Sequence, residues 1–379
     1  MRHLMNEPNR PASPACGFLA TLRGPARYAL ALLTAVALSG CGSFGTNYLR
    51  ADQVDYARAL GDAKKREMLA MIVGLRYGDL PSFIAVTQII AAYQFGASAG
   101  PTMQLGDERV AGSLASATGT VSYANHPTFT YAPTTGEAYA NAYIRPLPAT
   151  LVLPLADSGI PIDLLLRLST QSIGGLQNDT PLGGPQSNGS PGFFELLRVL
   201  RELQLAGKLT FRYTEDDKHV GHTYLVMGGQ SGDDDSQSVA DMARVRKLLN
   251  LKPGSSQYEI GYGATAGASN TVPIVTRSIL GILSNLGAQI QVPQTDIASG
   301  ATPPTVGLVG GETRPTVIVH VGDRAPGDAY VSVRYEGHRY WIDRTDFDSK
   351  YAFTVLQNLI ALAEASENSK TPIVTIPAG

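Results

Sequence analysis

The sequence predicts an α+β fold in which a mainly antiparallel sheet packs against helices. Apolar residues recur at the three- and four-residue spacing of amphipathic helices, most clearly over residues 193–203. Other short stretches alternate apolar and polar positions or are rich in β-branched and aromatic residues, which is typical of strands. The two kinds of segment follow one another without regular βαβ spacing, and this favours α+β over α/β.

Residues 51–77 predict the first helix, because apolar residues recur on one side of it and basic residues on another. Gly78 follows as a helix-ending position, and Pro81 prevents continuation. Arg76-Tyr77-Gly78-Asp79 looks like a motif, and we interpret it as a capped helix end.

Residues 96–133 are rich in Gly, Ala, Ser and Thr. Residues 81–95 before them predict either a strand or a second helix, and residues 83–87 favour the strand. Residues 119–123 and 128–131 alternate like strands and predict a pair joined around residues 125–127. The small side chains indicate a thin, twisted sheet or an exposed hairpin. Such a hairpin is either a surface for a partner or a loose surface ribbon.

The polar loop at residues 177–192 contains four Gly and three Pro, and it predicts the boundary between two halves. The N-terminal α+β half covers residues 51–176, with short helices near 134–143 and 161–166. The C-terminal α+β half covers residues 193–379.

The C-terminal half alternates more regularly. After the helix at 193–203, its predicted elements are strands at 209–213, 224–227 and 256–262, a helix at 239–249, a strand and helix within 272–286, a strand at 317–321, a hairpin of 331–335 and 338–342, a helix capped by Asp346 or Asp348 that runs to 363, and a strand at 372–376. The acidic residues Asp233, Asp234 and Asp235 supply favourable charge at a helix N-terminus.

A faint internal echo raises the alternative that the two halves are related. Thr276-Arg277-Ser278-Ile279-Leu280-Gly281 resembles Thr170-Gln171-Ser172-Ile173-Gly174-Gly175 at four of six positions. So short a match predicts duplication only weakly.

An apolar run at residues 28–38 has the features of a secretory signal. It holds 11 residues, within the roughly 7–15 of a signal peptide and short of the about 20 that a membrane-spanning helix needs. Arg23 and Arg27 precede the run, and the small residues Ser39 and Gly40 follow it.

The run leads into Leu38-Ser39-Gly40-Cys41, which resembles the lipobox of bacterial lipoproteins. The resemblance implies that residues 1–40 are a signal peptide cleaved after Gly40, that Cys41 carries lipid on its sulfur, and that residues 41–50 form a lipidated tether. Because Gly42 rather than Asp follows the cysteine, it also implies an outer membrane lipoprotein that faces the periplasm of a Gram-negative cell.

Composition excludes several classes of function for the chain after Gly40. Four of the 30 basic and one of the 32 acidic residues precede that point, so the remainder carries a net charge of −5. A mildly acidic body argues against nucleic-acid binding. The two cysteines are Cys16 and Cys41, so the body has no thiol for catalysis, thiolate zinc binding or a disulfide.

The richest polar constellation lies near the predicted hairpin at 331–342, where His320, His338 and Asp343 are candidates for acid–base chemistry. Its other members are Asp323, Trp341, Arg344, Asp346 and Asp348. Residues 337–343 resemble the His and Asp strands of transglutaminase-like enzymes, but the body has no cysteine nucleophile. Asp residues that cap the next helix explain the same pattern.

Other candidate sites are incomplete. His219-Val220-Gly221-His222 places two His three residues apart, which suits a polar hairpin tip better than a metal site. Residues 307–311 are Gly-rich but lack the Lys and helix of a phosphate loop. We therefore predict no catalytic residues, no metal and no cofactor.

Leu75-Arg76-Tyr77-Gly78-Asp79-Leu80-Pro81 and Tyr340-Trp341-Ile342-Asp343-Arg344 resemble a group of uncharacterised proteobacterial lipoproteins of unknown function. The sequence thus predicts a non-enzymatic envelope component, held by its N-terminal lipid and bound to a protein partner. Two alternatives stay open: a periplasmic hydrolase that uses His320, His338 and Asp343, and a small-ligand or glycan binder that stacks its ligand on Trp341.

Overall fold

The computed structural model describes residues 44–81, 83–90, 93–103, 115–125, 128–180, 189–217, 221–228, 235–263, 270–305 and 315–368. Residues 1–64 and 65–379 form two compact units. The described part of the first unit is helical and belongs to α1 (Phe44–Arg76), which begins before the predicted start at residue 51. The predicted signal peptide, Gly40 and Cys41 lie outside the described residues.

In the second unit, the last turns of α1 enter the core. Met68, Leu69, Ile72 and Val73 are buried, as the sequence predicts. Their three- and four-residue spacing places them on one side of the helix, and burying such side chains contributes about 1.5–3 kcal/mol each.

Two antiparallel pairs of strands follow α1. Strand β1 (Ile84–Ile90) pairs antiparallel with β4 (Thr128–Pro133), and β2 (Tyr93–Met103) pairs antiparallel with β3 (Ala115–Asn125). The register of the first pair continues into the second, because Ile90 lies opposite Thr128 and Tyr93 lies opposite Asn125. We call β1–β4 the β-ribbon.

The prediction that residues 119–123 pair with residues 128–131 is wrong. The first segment lies in β3 and pairs with β2, whereas the second lies in β4 and pairs with β1. Alternation identified both strands correctly, but a local pattern carries no information about which strand lies alongside.

The base of the β-ribbon is attached to the core by aromatic residues. The Phe83 ring stacks on Tyr143 with 3.6 Å between centroids, and the Tyr143 hydroxyl donates to Glu364 at 2.5 Å. The helical segments that follow the ribbon are α2 (Gly136–Tyr139), a π-helical turn (Ala140–Ile144), α3 (Ala149–Val152), α4 (Pro154–Asp157) and α5 (Ile162–Ser169).

The main sheet has six strands in the order β6-β5-β10-β9-β8-β7. The pair β9–β10 is parallel and the other neighbours are antiparallel, so the predicted α+β class is confirmed. The strands are β5 (Thr170–Ile173), β6 (Leu176–Gln177), β7 (Leu209–Glu215), β8 (Gly221–Met227), β9 (Gln257–Tyr262) and β10 (Thr271–Thr276).

Helices cover one face of the main sheet. On β8, Leu225 and Met227 are buried, whereas the alternating His222 and Tyr224 are partly exposed. The helices after the main-sheet strands are α6 (Pro191–Leu205), α7 (Ser236–Leu248), α8 (Ile279–Ala288) and α9 (Gln294–Ala298). Asp235 caps α7 by accepting from the Ser238 amide at 2.7 Å, which confirms the role predicted for negative charge there.

A second, three-stranded antiparallel sheet has the order β11-β13-β12. Its strands are β11 (His320–Gly322), β12 (Val331–Tyr335) and β13 (His338–Ile342), and α10 (Phe347–Asn368) follows. The predicted hairpin is confirmed, whereas β11 starts later than the predicted strand at 317–321. The predicted strand at 372–376 lies outside the described residues.

Strands from both sides of the predicted boundary at residues 177–192 belong to one sheet, because β5 pairs with β10.

The six-residue echo between residues 170–175 and 276–281 is not a structural repeat. Its first copy forms strand β5 and a turn, whereas its second copy contains the end of β10 and the start of α8. Ser278 in the second copy caps α8 by accepting from the Gly281 amide at 3.1 Å.

A buried guanidinium connects the two sides of that boundary. The Arg277 side chain is 6% exposed and donates to the backbone carbonyl of Arg167 at 3.1 Å and to the Asp179 carboxylate at 3.1 Å. Gln289 donates to the other carboxylate oxygen at 3.0 Å. Burial lowers the pKa of Arg277, and the negative charge of Asp179 opposes this shift.

We expect Asp179→Ala to lower the free energy of unfolding by about 3–5 kcal/mol, because it leaves the Arg277 charge buried without a carboxylate. Urea denaturation measures the change. The control is Glu202→Ala, which removes the exposed ion pair between Arg198 and Glu202 (2.8 Å) and is expected to cost about 0.3–0.5 kcal/mol. Equal losses in the two variants would contradict the role assigned to Arg277.

Candidate functional site

Strand β13 distributes the predicted site residues over two faces of the three-stranded sheet. Neighbouring residues in a strand point to opposite faces. Tyr340 and Ile342 are fully buried, so His338 shares their inner face. Trp341 lies on the outer face, and His320 lies directly opposite it on β11.

The outer face carries a small His–Asp–Trp cluster. Nε2 of His320 lies 3.0 Å from Oδ2 of Asp343, and Nε1 of Trp341 donates to Oδ1 of the same carboxylate at 3.0 Å. The His320 and Trp341 rings are stacked, with centroids 5.6 Å apart. Asp343 therefore holds both rings in place, and His320 and Asp343 remain more than one-third exposed.

Ser349, six residues after Asp343, serves the start of α10. The Ser349 side chain is 1% exposed; its hydroxyl donates to Asp346 at 2.5 Å and accepts from the Ile318 amide at 2.9 Å. Asp346 in turn accepts from the Ser349 amide at 3.2 Å, which confirms it as the helix cap. Ser349 is thus engaged in helix capping and is not presented to His320 as a nucleophile.

The inner face carries a different polar cluster, formed by Tyr77, Asp296, Tyr340 and His338. The Tyr77 hydroxyl donates to Asp296 at 2.6 Å and lies 2.6 Å from the Tyr340 hydroxyl. Nε2 of His338 lies 3.9 Å from the same oxygen of Asp296. We call these four residues the inner polar cluster.

The structure does not bring His320, His338 and Asp343 into one site. His320 and Asp343 meet on the outer face, whereas His338 approaches Asp296 on the inner face. The sequence grouped these residues because they are close along the chain, but alternation along β13 separates them.

The phenols of the inner polar cluster are poor proton carriers near neutral pH. Burial, and then the hydrogen bond to Asp296, raise the pKa of Tyr77 far above its ordinary value. Burial also raises the pKa of Tyr340. Both phenols therefore stay protonated and act as hydrogen-bonding groups between α1, α9 and β13.

Arg76-Tyr77-Gly78-Asp79 is a capped helix end, as predicted. Gly78 has a φ of +84°, its amide donates to Leu75, and the Asp79 amide donates to Gly74 at 2.9 Å. These bonds form the Schellman arrangement that ends many helices. The motif also makes distant contacts: the Asp79 carboxylate accepts from the Tyr335 hydroxyl, and Arg76 donates to the Pro303 carbonyl at 2.7 Å.

The two stretches that carry the resemblance to uncharacterised lipoproteins meet in this cluster. Tyr77 comes from the first stretch and Tyr340 from the second. Asp296 and Tyr335 complete the contacts, and sequence reasoning missed both. They are more than 200 positions from their partners along the chain, so no local spacing could indicate them.

Of the histidine pair at the β7–β8 connection, the structure describes His222, which lies between two carboxylates. Nδ1 of His222 lies 2.8 Å from Glu259, and its Nε2 lies 3.7 Å from Asp216. The two carboxylates therefore approach opposite sides of the ring instead of converging on one point. The hydrogen bond to Glu259 raises the pKa of His222. His219 and the Gly-rich residues 307–311 lie outside the described residues.

Comparisons with known proteins identify no relative. The chain matches no protein-family model, no curated protein and no solved structure. In the part of the chain that the structure describes, no helix is both long enough and apolar enough to cross a membrane. Within the same ranges, no three His, Cys, Asp or Glu residues are grouped so that they could hold a metal ion.

We expect Tyr77→Phe to lower the free energy of unfolding by about 1–3 kcal/mol, because Asp296 and Tyr340 lose a shared hydrogen-bonding partner. Chemical denaturation measures this. Tyr262→Phe is the matched control, since Tyr262 is 76% exposed. A Tyr77→Phe variant as stable as this control would show that the inner polar cluster does not stabilise the fold.

Alkaline pH is expected to weaken the fold. Burial, and then the hydrogen bond to Asp79, raise the pKa of Tyr335 from 10.0 to about 12. The pKa of Tyr335 is thus higher in the folded protein than in the unfolded chain, so the stabilisation is complete at pH values below the pKa of the unfolded chain. It is lost as the pH rises through the pKa of the folded protein. The free energy of unfolding should therefore fall between about pH 10 and pH 12, and Tyr335→Phe should reduce that slope. An unchanged slope in the variant would contradict the assignment.

Proposed function

We propose that the protein is an envelope lipoprotein whose folded body acts as a non-enzymatic structural or assembly component. The chain is cleaved after Gly40 and held in the outer membrane, facing the periplasm, by lipid on Cys41. The observation that carries the proposal is the order of basic residues, apolar run, small residues and cysteine over residues 23–41. More than one acyl chain at such a cysteine gives stable anchoring.

The use of polar residues in the body supports a structural role. Asp343 orients His320 and Trp341, Asp346 caps α10, and Asp296 accepts from Tyr77. Each of these carboxylates is accounted for by a contact within the fold. A protein partner, with no cofactor and no nucleic acid, completes the proposal.

The two alternatives have less support. A hydrolase that uses His320, His338 and Asp343 would need its residues on one face of the three-stranded sheet, and they lie on two. A glycan binder that stacks its ligand on Trp341 would need an open ring face, and His320 stacks against one face of that ring.

We expect Cys41→Ala to abolish labelling of the protein by a radioactive fatty acid in Gram-negative cells and to release the body from membranes. Mass spectrometry of the N-terminal peptide measures the same modification directly. The control is Cys16→Ala, which removes the other cysteine and should leave labelling unchanged. Labelling of the Cys41→Ala variant, or a different first residue in the mature protein, would refute lipidation at Cys41.

The assembly role is tested with the same lipidated material by crosslinking in cells followed by membrane extraction. A reproducible, stoichiometric protein partner is the expected result. Recovery of the monomer alone at native expression levels would refute the assembly role and favour an enzyme or ligand binder.

A further inference from the structure

The β-ribbon has an unusual composition. Its four strands contain no Asp, Glu, Lys, Arg or His. Between residues 84 and 133, Asp, Glu, Lys and Arg occur only in the connection between Met103 and Ala115, as Asp107, Glu108 and Arg109, and the one His is His126 in the connection between β3 and β4. Within the described residues, no further strand pairs with either edge of the ribbon.

The paired positions of β2 and β3 separate by polarity. Residues directly opposite each other share a face, and successive pairs alternate between the two faces. One face, which we call the apolar face, combines Tyr93, Phe95, Ala97, Ala99, Pro101 and Met103 with Asn125, Tyr123, Val121, Gly119, Ala117 and Ala115. The other combines Gln94, Gly96, Ser98, Gly100 and Thr102 with Ala124, Ser122, Thr120, Thr118 and Ser116.

The alternation is nearly complete, with Asn125 as the one polar residue on the apolar face. A ribbon with one face against a protein core would show the same two-residue alternation of apolar and polar positions. However, the opposite face of a water-soluble ribbon usually carries charged residues. An alternation between apolar residues and small, uncharged polar residues is typical of strands that contact lipid on one side.

The dimensions of the inner pair fit a bilayer. Strands β2 and β3 each have 11 residues, and a membrane-spanning strand needs about 9–11. Tyr93, Phe95 and Tyr123 occupy neighbouring register positions, at the end of the pair that is connected to β1 and β4. Aromatic residues concentrate in this way at the boundary between lipid and water.

We propose that β2 and β3 insert into a lipid bilayer with the apolar face against lipid, and that ribbons from several copies of this chain pair there edge to edge. The pairing follows from the backbone, because unpaired N–H and C=O groups on the outer sides of β2 and β3 are costly to place in lipid. Identical copies supply complementary edges without another protein. The inference goes beyond the proposed function and does not depend on lipid at Cys41.

Brominated lipids test the contact with lipid. A cysteine replaces either Val121 or Thr120, which are neighbours on opposite faces near the middle of β3. Each variant of the full-length protein is labelled at that cysteine with a bimane fluorophore and reconstituted into phosphatidylcholine vesicles. Bromination of the acyl chains should cause a loss of fluorescence from the Val121→Cys label and leave the Thr120→Cys label nearly unchanged. Equal quenching at the two positions, or none at Val121→Cys, would overturn the proposal. Protection of the apolar face by a protein instead of lipid would give the latter result.

The control is the parent chain, without an added cysteine, treated with the same fluorophore. Fluorophore bound to the parent chain reports a Cys41 thiol without lipid, whereas quenching at Val121→Cys reports insertion, so the two failures are distinguished.

Assembly is measured as the mass of the detergent-extracted particle. The parent and Thr120→Arg should form particles of several copies, whereas Val121→Arg, with a charge on the apolar face, should be monomeric with an unchanged thermal unfolding of the body. A monomeric parent, or identical particles from both Arg variants, would overturn the edge pairing.

Discussion

The buried Arg277 guanidinium constrains the arrangement of the main sheet and its helices. A cation in the core must be surrounded by acceptors, because an unpaired buried charge is strongly destabilising. Its acceptors come from the end of α5 and from Asp179 after β6, whereas Arg277 itself lies between β10 and α8. Both sides of the polar loop at residues 177–192 are therefore joined by this cation and by the shared sheet.

The inner polar cluster has a comparable role at the other sheet. Tyr77 at the end of α1, Asp296 in α9 and Tyr340 in β13 meet through short hydrogen bonds between elements distant in sequence. The burial that raises the pKa of both phenols keeps them protonated and suited to this task. A scaffold that uses its Tyr, His and Asp residues in this way suits the proposed assembly role.

Local patterns predicted elements better than they predicted partners. The helix at residues 193–203, the hairpin of β12 and β13, and the caps at Gly78 and Asp346 depend on a few neighbouring residues, and the structure confirms them. The pairing of β3 with β4 was predicted wrongly because both strands alternate equally well. His338 was grouped with His320 because proximity in sequence ignores the face on which a residue lies.

By itself, the sequence determined the α+β class and most helix and strand positions, because spacing, capping and composition act over a few residues. Only the tertiary structure decided the nested pairing of the β-ribbon, the split of the His residues over two faces, and the partners of Arg277 and Tyr77. These features depend on register and on contacts between distant segments. Such contacts form when the whole chain buries its apolar residues, and no local window contains that information.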